Sequence, residues 1–321
     1  MEQAQSRCAT DGPGLRVALF SGASEPTGFI AVRCRGMTAM PAGAPMADYQ
    51  AIVGERGLVI DPLALVRALG VACFDFSQML KGQTAFAPCM RGAETSWIVD
   101  ISGGYLAYEA SIRERSSVIK DIDRKRRNME REIGPCRFTA TSPSSTDFQT
   151  LIALKRTQLK KTNQTDIFAA SWTMNLIEAL FERREPDFGG ALFTLHIGDR
   201  LAAVHFHLRG GATVHGWLIA HAPEFERYSP GLLLFQDILK WMAGGPYSQL
   251  DLSCGDYRFK RELSNTAQET GDGFVGLASP ATLLRALAYR LREAAEGLPL
   301  GGFSALPGKA MRRYDLLRAL R

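Results

Sequence analysis

The most constraining feature of the sequence is a change of hydrophobic period in its second half. Asp147 and Ser171 each cap a run in which apolar residues recur at helical spacing, which predicts two helices with these residues as their N-caps. From Ala191 to Ala220 the apolar residues alternate instead, and the two-residue turns Gly198-Asp199 and Gly210-Gly211 divide this region into three strands. The pattern predicts an antiparallel meander that follows two helices.

An apolar helix and a short strand come next. Gly231 to Ala243 contains few polar residues, so this helix should be largely buried, and Gln249 to Cys254 has the pattern of a strand. A strand, a helix and a second strand in succession predict a right-handed crossover, with the last strand parallel to the third strand of the meander. The fold class is therefore α/β, with a mixed sheet that contains one βαβ unit.

The loop before the apolar helix is the first candidate site, because ligands of βαβ units bind at the carboxyl end of the strand. The first N–H groups of a helix lack internal partners and lie at the positive end of its dipole. Ser229 adds a hydroxyl group, Gly231 lets a ligand approach the backbone, and Arg227 adds a positive charge. This combination predicts a phosphate or pyrophosphate site. The alternative is an ordinary loop in which Ser229 is the N-cap and Pro230 the first helical residue.

The first half of the chain has weaker patterns. Asp61 and Pro62 predict the start of a helix within Leu58 to Leu69, Trp97 to Asp100 predicts a strand, and Tyr105 to Ala110 a further extended segment. Ser111 to Ile133 predicts one long charged helix, whose mixed charges indicate a solvated face or a patch that binds a polyanion.

The segment Thr139 to Thr146 is small, polar and contains proline, so we place a domain boundary there. The predicted domains are residues 1–138 and residues 139–321.

Composition excludes several classes of protein. The 321 residues are 46% hydrophobic and 22% charged, as in a globular protein, and a net charge of +5 is too small to indicate nucleic acid as a partner. The sequence shows neither a signal peptide nor an apolar run of membrane-spanning length, so we expect a cytoplasmic protein, with attachment to the inner face of a membrane as a second option. The cysteines form no CxxC pair, which predicts unpaired thiols in a reducing compartment. They are Cys8, Cys34, Cys73, Cys89, Cys136 and Cys254.

All five histidines lie between His196 and His221, and they supply the candidate bases. His215 is our first choice as general base or substrate contact, because its strand lies beside the candidate site, and His205 or His207 comes second. Each could instead be a half-buried structural histidine. His205 and His207 alone are an incomplete ligand set, so no metal is expected. Asp251 could orient a histidine, bind an acceptor or cap the strand end.

Two segments carry a family resemblance. Tyr228-Ser-Pro-Gly-Leu-Leu233 and Asp251-Leu-Ser-Cys-Gly255 followed by Lys260, together with the order of elements, resemble the GNAT acyltransferases, and within them the CelD/BcsL-like group named for cellulose biosynthesis. Less specific matches are Lys155 to Phe168, Ile197 to Ala202 and His215 to Ala220, and a weaker likeness lies in the long charged helix before them. The sequence departs from the group where Phe259 replaces a common tyrosine, which Tyr257 could replace, and it lacks the usual Gln/Arg-x-x-Gly-x-Gly/Ala signature.

The resemblance implies an N-acyltransferase that moves an acyl group from acetyl-CoA or another acyl-CoA to an amine, such as an amino sugar or polysaccharide precursor. It also implies two GNAT-like modules, the N-terminal one degenerate. The implied cofactor contacts are Arg227, Tyr228, Ser229, Pro230, Gly231, Leu232 and Ile219. The implied substrate contacts are Trp217, Tyr257 and Lys260.

Three alternatives remain at this stage. An acyl carrier protein could supply the thioester in place of CoA. A FemX-like transferase would take aminoacyl-tRNA, and its binding would depend strongly on salt. A protein with the same fold but no catalysis would serve as a binding module or scaffold.

Overall fold

A computed structural model describes residues 5–10, 14–21, 25–183, 185–299 and 301–320. The strands are β1 Gln5–Thr10, β2 Leu15–Ser21, β3 Pro26–Arg35, β4 Thr38–Pro41, β5 Val53–Gly54, β6 Cys73–Leu80, β7 Met90–Asp100, β8 Cys136–Thr139, β9 Phe188–Ile197, β10 Arg200–Gly210, β11 Thr213–His221, β12 Gln249–Cys254 and β13 Thr266–Gly276. The α-helices are α1 Pro62–Ala68, α2 Tyr105–Arg115, α3 Val118–Glu132, α4 Ser145–Lys161, α5 Ser171–Glu182, α6 Pro230–Ala243, α7 Arg258–Leu263, α8 Pro280–Glu296 and α9 Leu306–Leu320.

The chain forms two compact units. Unit 1 combines residues 1–95 with residues 268–321, and unit 2 is residues 96–267. These bounds differ from the sequence-predicted boundary between residues 138 and 139. The segment that resembles a linker lies inside unit 2, because β8 pairs with β9 and the Ser142 N–H donates to the Leu192 carbonyl at 2.7 Å.

The sheet of unit 2 confirms the predicted order of elements. From the residues of β7 that belong to this unit, the order continues β12, β11, β10, β9 and β8. The pair β11 and β12 is parallel, and the neighbouring pairs are antiparallel. The strand β12 has the predicted bounds, and α6 begins one residue earlier than predicted.

Helices cover both faces of this sheet. On one face Phe148 of α4 and Phe181 of α5 stack with ring centroids 4.2 Å apart, and the Phe148 ring meets that of Phe206 of β10 edge-on at 5.7 Å. On the other face Trp241 of α6 meets the ring of Phe193 of β9 at 5.0 Å. Most of α6 is buried, as its composition predicts. Burial of these aromatic rings on both faces is the main source of cohesion in unit 2.

Four local predictions in unit 2 are wrong. The long charged helix is interrupted, because Ser116 has extended backbone angles (φ −151°, ψ 148°) between α2 and α3. The segment from Tyr105 is helical rather than extended, since Tyr105, Tyr108 and Ile112 recur at helical spacing and are all buried. The N-cap of α4 is Ser144, whose side chain accepts from the Asp147 N–H, and Ser171 lies inside α5.

Unit 1 has its own sheet, in the order β1, β2, β3, β4, β6, β13 and β7, with β5 paired to β3. The strands β4 and β6 are parallel, and α1 lies between them in sequence. Asp61 caps α1 as predicted, since its carboxylate accepts from the Leu63 N–H at 2.9 Å. A meander, a helix and a parallel strand thus occur here too, which is compatible with the predicted degenerate module.

The described residues contain neither a disulfide nor a helix suited to crossing a membrane. No disulfide joins Cys34, Cys73, Cys89, Cys136 and Cys254, and the side chain of Cys8 lies outside the described part of the chain. None of the helices described for this chain is both long and apolar enough to cross a bilayer.

A buried ion cluster ties α8 and α9 to the sheet of unit 1. Arg285 forms a two-pronged pair with Asp315 of α9, at 2.8 and 3.1 Å, and its Nε lies 2.9 Å from Asp75 Oδ1 of β6. Arg318 Nη2 lies 2.7 Å from the second oxygen of Asp75. These side chains are largely removed from water, so losing one partner leaves an uncompensated buried charge.

We therefore expect Arg285→Ala to lower the free energy of unfolding by about 3 kcal/mol or more, as for other broken buried ion pairs. The control is Arg258→Ala, because Arg258 pairs with Glu262 at 2.8 Å but its side chain is 83% exposed, and exposed pairs contribute about 1 kcal/mol or less. Urea denaturation of both variants measures the difference. Equal losses would show that the cluster adds nothing beyond a surface pair.

Candidate functional site

The central feature of unit 2 is that two parallel strands separate part-way along their length. β11 and β12 are paired over three positions, and His215 opposite Asp251 is the last of them. Beyond that point β11 keeps its pairing to β10 up to His221, whereas Cys254 of β12 pairs with Ser96 of β7. The side of β11 that faced β12 is therefore left without a strand partner in the described structure, and its backbone groups can pair with an extended ligand.

His215 and Asp251 lie together at the point of divergence. His215 Nδ1 is 3.4 Å from Asp251 Oδ2, and both side chains are mostly buried. The other carboxylate oxygen, Oδ1, accepts from the Ser253 N–H at 2.7 Å, which fixes the carboxylate. An aspartate at Nδ1 holds the proton on that nitrogen and leaves Nε2 as the basic atom of the ring. The arrangement suits a general base at the opening between the strands.

The amino end of α6 lies at the same carboxyl edge of the sheet. Ser229 precedes the helix in a left-handed conformation (φ 50°), and Pro230 has no N–H group. The N–H groups of Leu232 and Leu233 both point to the Ser229 carbonyl, at 2.9 and 3.3 Å. Gly231 supplies the first N–H of the helix, so this end combines an amide donor with the positive end of the helix dipole.

Lys125 is a residue of this site that sequence reasoning did not assign. Its Nζ donates to Ser229 Oγ at 2.6 Å and brings a positive charge from α3 to the start of α6. The next residue, Arg126, binds the Leu233 carbonyl at 3.0 Å and Asp237 Oδ2 at 2.7 Å, which holds the two helices together. The basic residues of α3 were visible in the sequence, but nothing there indicated which of them faces α6.

A cavity of about 460 Å³ lies beside Lys125 in unit 2. It brings together Leu232 and Tyr257, two of the residues predicted for the site, with Lys125. Its remaining lining comes from α3 and from the segment around α7: Ser117, Val118, Asp121, Ile122, Arg258, Phe259 and Glu262. The Tyr257 and Phe259 rings lie 6.0 Å apart, so the aromatic pair singled out in the sequence borders this cavity.

Arg227 and Tyr228 form a separate contact with the end of α3. The Arg227 guanidinium lies over the Tyr228 ring at 4.5 Å and pairs with Glu132 at 2.8 Å, and the Tyr228 hydroxyl donates to the same carboxylate at 2.6 Å. The hydrogen bond from Tyr228 holds the pKa of Glu132 below its usual value. The predicted cofactor contact Arg227 is thus held by Glu132 in this structure.

Lys260 is buried, and it stabilises the end of β12. Its Nζ donates to the Cys254 carbonyl at 2.6 Å and lies 5.4 Å from the centre of the Tyr257 ring. Ser253 and Gly255 have positive φ angles of 60° and 112° here, so the backbone turns sharply as it leaves the sheet. The geometry gives Lys260 a positioning role at the strand end.

His205 and His207 lie under α6, away from water. Their rings stack with centroids 5.4 Å apart, His207 also meets the Phe193 ring, and a Cβ on Gly231 would lie 3.6 Å from His205 Nε2. Their ring nitrogens have no hydrogen-bond partner among the described residues. Burial lowers the pKa of His205 to about 3, with a smaller contribution from His221, and burial also lowers that of His207. Both rings are neutral near pH 7 and are poor bases.

The remaining predicted contacts lie on β11. Ile219 pairs with His205 across β10 and β11, beyond the last position shared with β12. Trp217 packs on Phe206, 6.0 Å between ring centres, beside an irregularity in the β10–β11 register. Among the described residues, no group of three or more His, Cys, Asp or Glu side chains is placed to hold a metal ion.

The buried histidine pair predicts how stability depends on pH. Because the folded-state pKa of His205 is about 3, well below the unfolded value of about 6.5, the unfolded chain binds more protons between these values and stability falls as pH falls. His205→Phe should reduce the slope below about pH 6 by up to about 1.4 kcal/mol per pH unit. His207→Phe should act in the same direction.

Urea denaturation at pH 7, 6, 5 and 4.5 measures this slope, with the double variant as the check on additivity. An unchanged slope in both single variants would mean that the two rings take up protons in the folded protein.

Comparisons with known proteins agree with this fold. Residues 116–261 match the family model for the acetyltransferase (GNAT) domain. Two solved structures superimpose on most of the chain. The C-terminal domain of a protein assigned as a lysylphosphatidylglycerol synthetase from Agrobacterium fabrum covers 86% of it, and FemX covers 84%. The synthetase domain has a TM-score of 0.55 and 14% sequence identity, and the match covers 88% of its chain. FemX has a TM-score of 0.55 and 12% sequence identity, and the match covers 90% of its chain. No curated protein matches the sequence.

The two structures show the fold, which is a GNAT-like mixed α/β fold. The match of residues 116–261 to the acetyltransferase (GNAT) domain supports an acyltransferase. GNAT domains use acyl-CoA as their co-substrate. The domain begins at α3, so the helix that supplies Lys125 is part of it.

Proposed function

We propose that this chain, whose residues 116–261 form the acetyltransferase domain, transfers an acyl group from acyl-CoA to an amine. The observation that carries the proposal is the position of the His215–Asp251 pair, at the last shared residue of two strands that then diverge. A base at that point lies at the opening between β11 and β12, and one side of this opening is the edge of β11 that no longer pairs with β12. A long thioester can lie along that edge, so that its carbonyl group and an amine come together beside the base.

The residues of the opening fit acyl-CoA. The anionic phosphates are matched by the Gly231 N–H, the α6 dipole and the charge of Lys125. The amide-containing arm of CoA is matched by the backbone of β11 from Gly216 to His221, which can pair with it as a further strand would. We assign phosphate binding to Lys125 in addition to the residues predicted from the sequence.

The chemistry requires one proton transfer by the protein. An amine is protonated at neutral pH, and its nitrogen must lose a proton before it can attack the thioester carbonyl. His215 Nε2 takes that proton, directly or through a water molecule, while Asp251 stabilises the imidazolium. The new C–N bond forms, N–H groups of the open β11 edge stabilise the oxyanion, and the C–S bond then breaks. The thiolate leaves and takes up the second proton that the attacking nitrogen loses, giving an amide and free CoA.

We propose an amino sugar or another amine of a polysaccharide precursor as the acceptor. The support for this is the likeness of the Tyr228–Leu233 and Asp251–Lys260 segments to the CelD/BcsL-like group. The aromatic side chains of Tyr257 and Phe259 beside the cavity of unit 2 suit a sugar ring, which presents apolar C–H groups to an aromatic face. A thioester on an acyl carrier protein is the variant that would replace CoA.

Thermal unfolding with acetyl-CoA, longer acyl-CoA and CoA alone tests the donor. A ligand at about 100 times its Kd stabilises the folded state by about 2.7 kcal/mol, which raises Tm measurably. Lys125→Met should weaken this effect, because it removes the charge at Ser229. The matched control is Lys120→Met on the same helix, where the lysine is exposed. If no CoA species raises Tm, the donor is not CoA, and aminoacyl-tRNA and carrier-protein thioesters are tested next.

Turnover with a panel of amino sugars tests the base. His215→Gln should lower kcat by about 10²-fold or more, the usual contribution of a positioned general base, with little change in acyl-CoA binding. Asp251→Asn should lower kcat in the same direction and shift its dependence on pH. His207→Phe is the control, because that buried ring should leave kcat nearly unchanged. A full loss in the control with normal kcat in His215→Gln would move the base to the buried pair.

A further inference from the structure

The outer face of α8 in unit 1 is a stripe of exposed leucines. Leu283, Leu287 and Leu291 of α8 follow one another at intervals of four residues, and Leu284 lies beside them, while Leu298 follows two residues after the end of the helix. These five side chains are 52–70% exposed. Single exposed leucines need no explanation, but leucines at helical spacing along one face form a contiguous apolar surface, which indicates an interaction site.

The stripe continues onto α9. Leu306, Tyr314 and Leu317 of α9 are exposed, and Phe303 just before the helix is 74% exposed. A groove of about 540 Å³ runs between the two helices and is lined by Leu284 and Leu291 on one side and Tyr314 on the other. The two stripes therefore border one groove, and we refer to this surface as the α8–α9 face.

The helices of the α8–α9 face carry an excess of positive charge. The two helices carry seven Lys or Arg residues and three Asp or Glu residues. Arg285 and Arg318 are used in the buried ion cluster, and Arg292 pairs with Glu296. The exposed cations that remain are Arg290, Lys309, Arg312 and Arg313. An apolar stripe bordered by cations is typical of helices that lie in the interface of an anionic membrane.

We propose that the α8–α9 face rests on an anionic membrane surface. The leucines insert among the acyl chains at the headgroup boundary, and the exposed cations contact the lipid phosphates. A second copy of this chain fits the face less well. Symmetric self-association would bring the same cations against each other, whereas a bilayer of anionic lipid neutralises them. The chain lies on the membrane and does not cross it.

Sedimentation with vesicles tests the proposal in the full chain. We expect binding to vesicles of phosphatidylglycerol mixed with phosphatidylcholine, much weaker binding to phosphatidylcholine alone, and loss of binding as salt rises. Lys309→Ala combined with Arg313→Ala should lower the partition coefficient about thirtyfold, from about 1 kcal/mol per cation, because both cations lie on the side of α9 that carries Leu306 and Leu317. Leu284→Ser and Leu287→Ser should each lower it about tenfold or more.

Leu106→Ser is the matched control. Leu106 lies on α2 in unit 2 and is 77% exposed, so it is an equally exposed leucine outside the face. Its variant should bind vesicles like the unchanged protein, and far-ultraviolet circular dichroism shows that every variant is folded. Equal loss of binding in Leu106→Ser and Leu284→Ser would overturn the proposal.

Analytical ultracentrifugation without lipid tests whether a second copy of this chain binds the α8–α9 face. A dimer that Leu284→Ser dissociates, together with no binding to anionic vesicles, would show that the face joins two copies, and the membrane proposal would be wrong. Equal binding to both kinds of vesicle would overturn the role of the cations. None of these measurements uses acyl-CoA, so they succeed or fail independently of the proposed enzyme activity.

Discussion

The site in unit 2 depends on the pairing of β11 and β12 ending after three residues. A sheet normally satisfies its backbone groups by continuing its ladders, so an interruption leaves donors and acceptors that only a ligand or water can satisfy. The cost of this opening is met by the contacts that hold each strand separately. β11 remains on β10, and the end of β12 is held by β7 and by the buried Lys260. Asp251 contributes both to the opening and to the fixed end of β12. It lies at the last position where the two strands pair, and its carboxylate accepts from the Ser253 N–H.

The contact between α3 and α6 fixes the position of charged groups at the amino end of α6. Arg126 binds a carbonyl and a carboxylate of α6, and this places the preceding lysine at the first turn of that helix. Burial raises the pKa of Asp237, while its pairing with Arg126 opposes that shift. A salt bridge in such a half-buried position contributes more to orientation than to stability. Its effect here is to fix which of the many cations of α3 lies at the first turn of α6.

Much of unit 2 could be predicted from the sequence, because its signals are local. The alternation of β9, β10 and β11, the two-residue turns and the apolar helix α6 are properties of short segments, and the crossover rule then fixes the parallel strand. The placement of His215 beside Asp251 followed from that topology, with Asp251 predicted as a partner for a histidine. Their roles in catalysis remain predictions.

Features that depend on tertiary packing could not be predicted from the sequence, because no local pattern indicates them. Ser116 interrupts a pattern whose charges would suit one helix, because the buried faces of α2 and α3 are separate. The complete burial of His205 and His207 depends on the packing of α6 against their side of the sheet, which the pattern of β10 alone does not show. The extent of unit 1 was missed for a similar reason, since its sheet and ion cluster combine segments that lie almost 200 residues apart, such as β6 and β13.

This last feature has a consequence for synthesis on the ribosome. Unit 2 is a continuous stretch of chain, whereas β13 enters the sheet of unit 1 between β6 and β7 and is made after all of unit 2. One edge of β6 therefore stays exposed while about 170 further residues are translated, which takes roughly 10–30 s at about 5–20 residues per second. An unpaired edge is a template for aggregation. The sheet that the first 95 residues begin is thus incomplete until β13 has been made, and this is the stretch of the nascent chain on which we expect a chaperone to act.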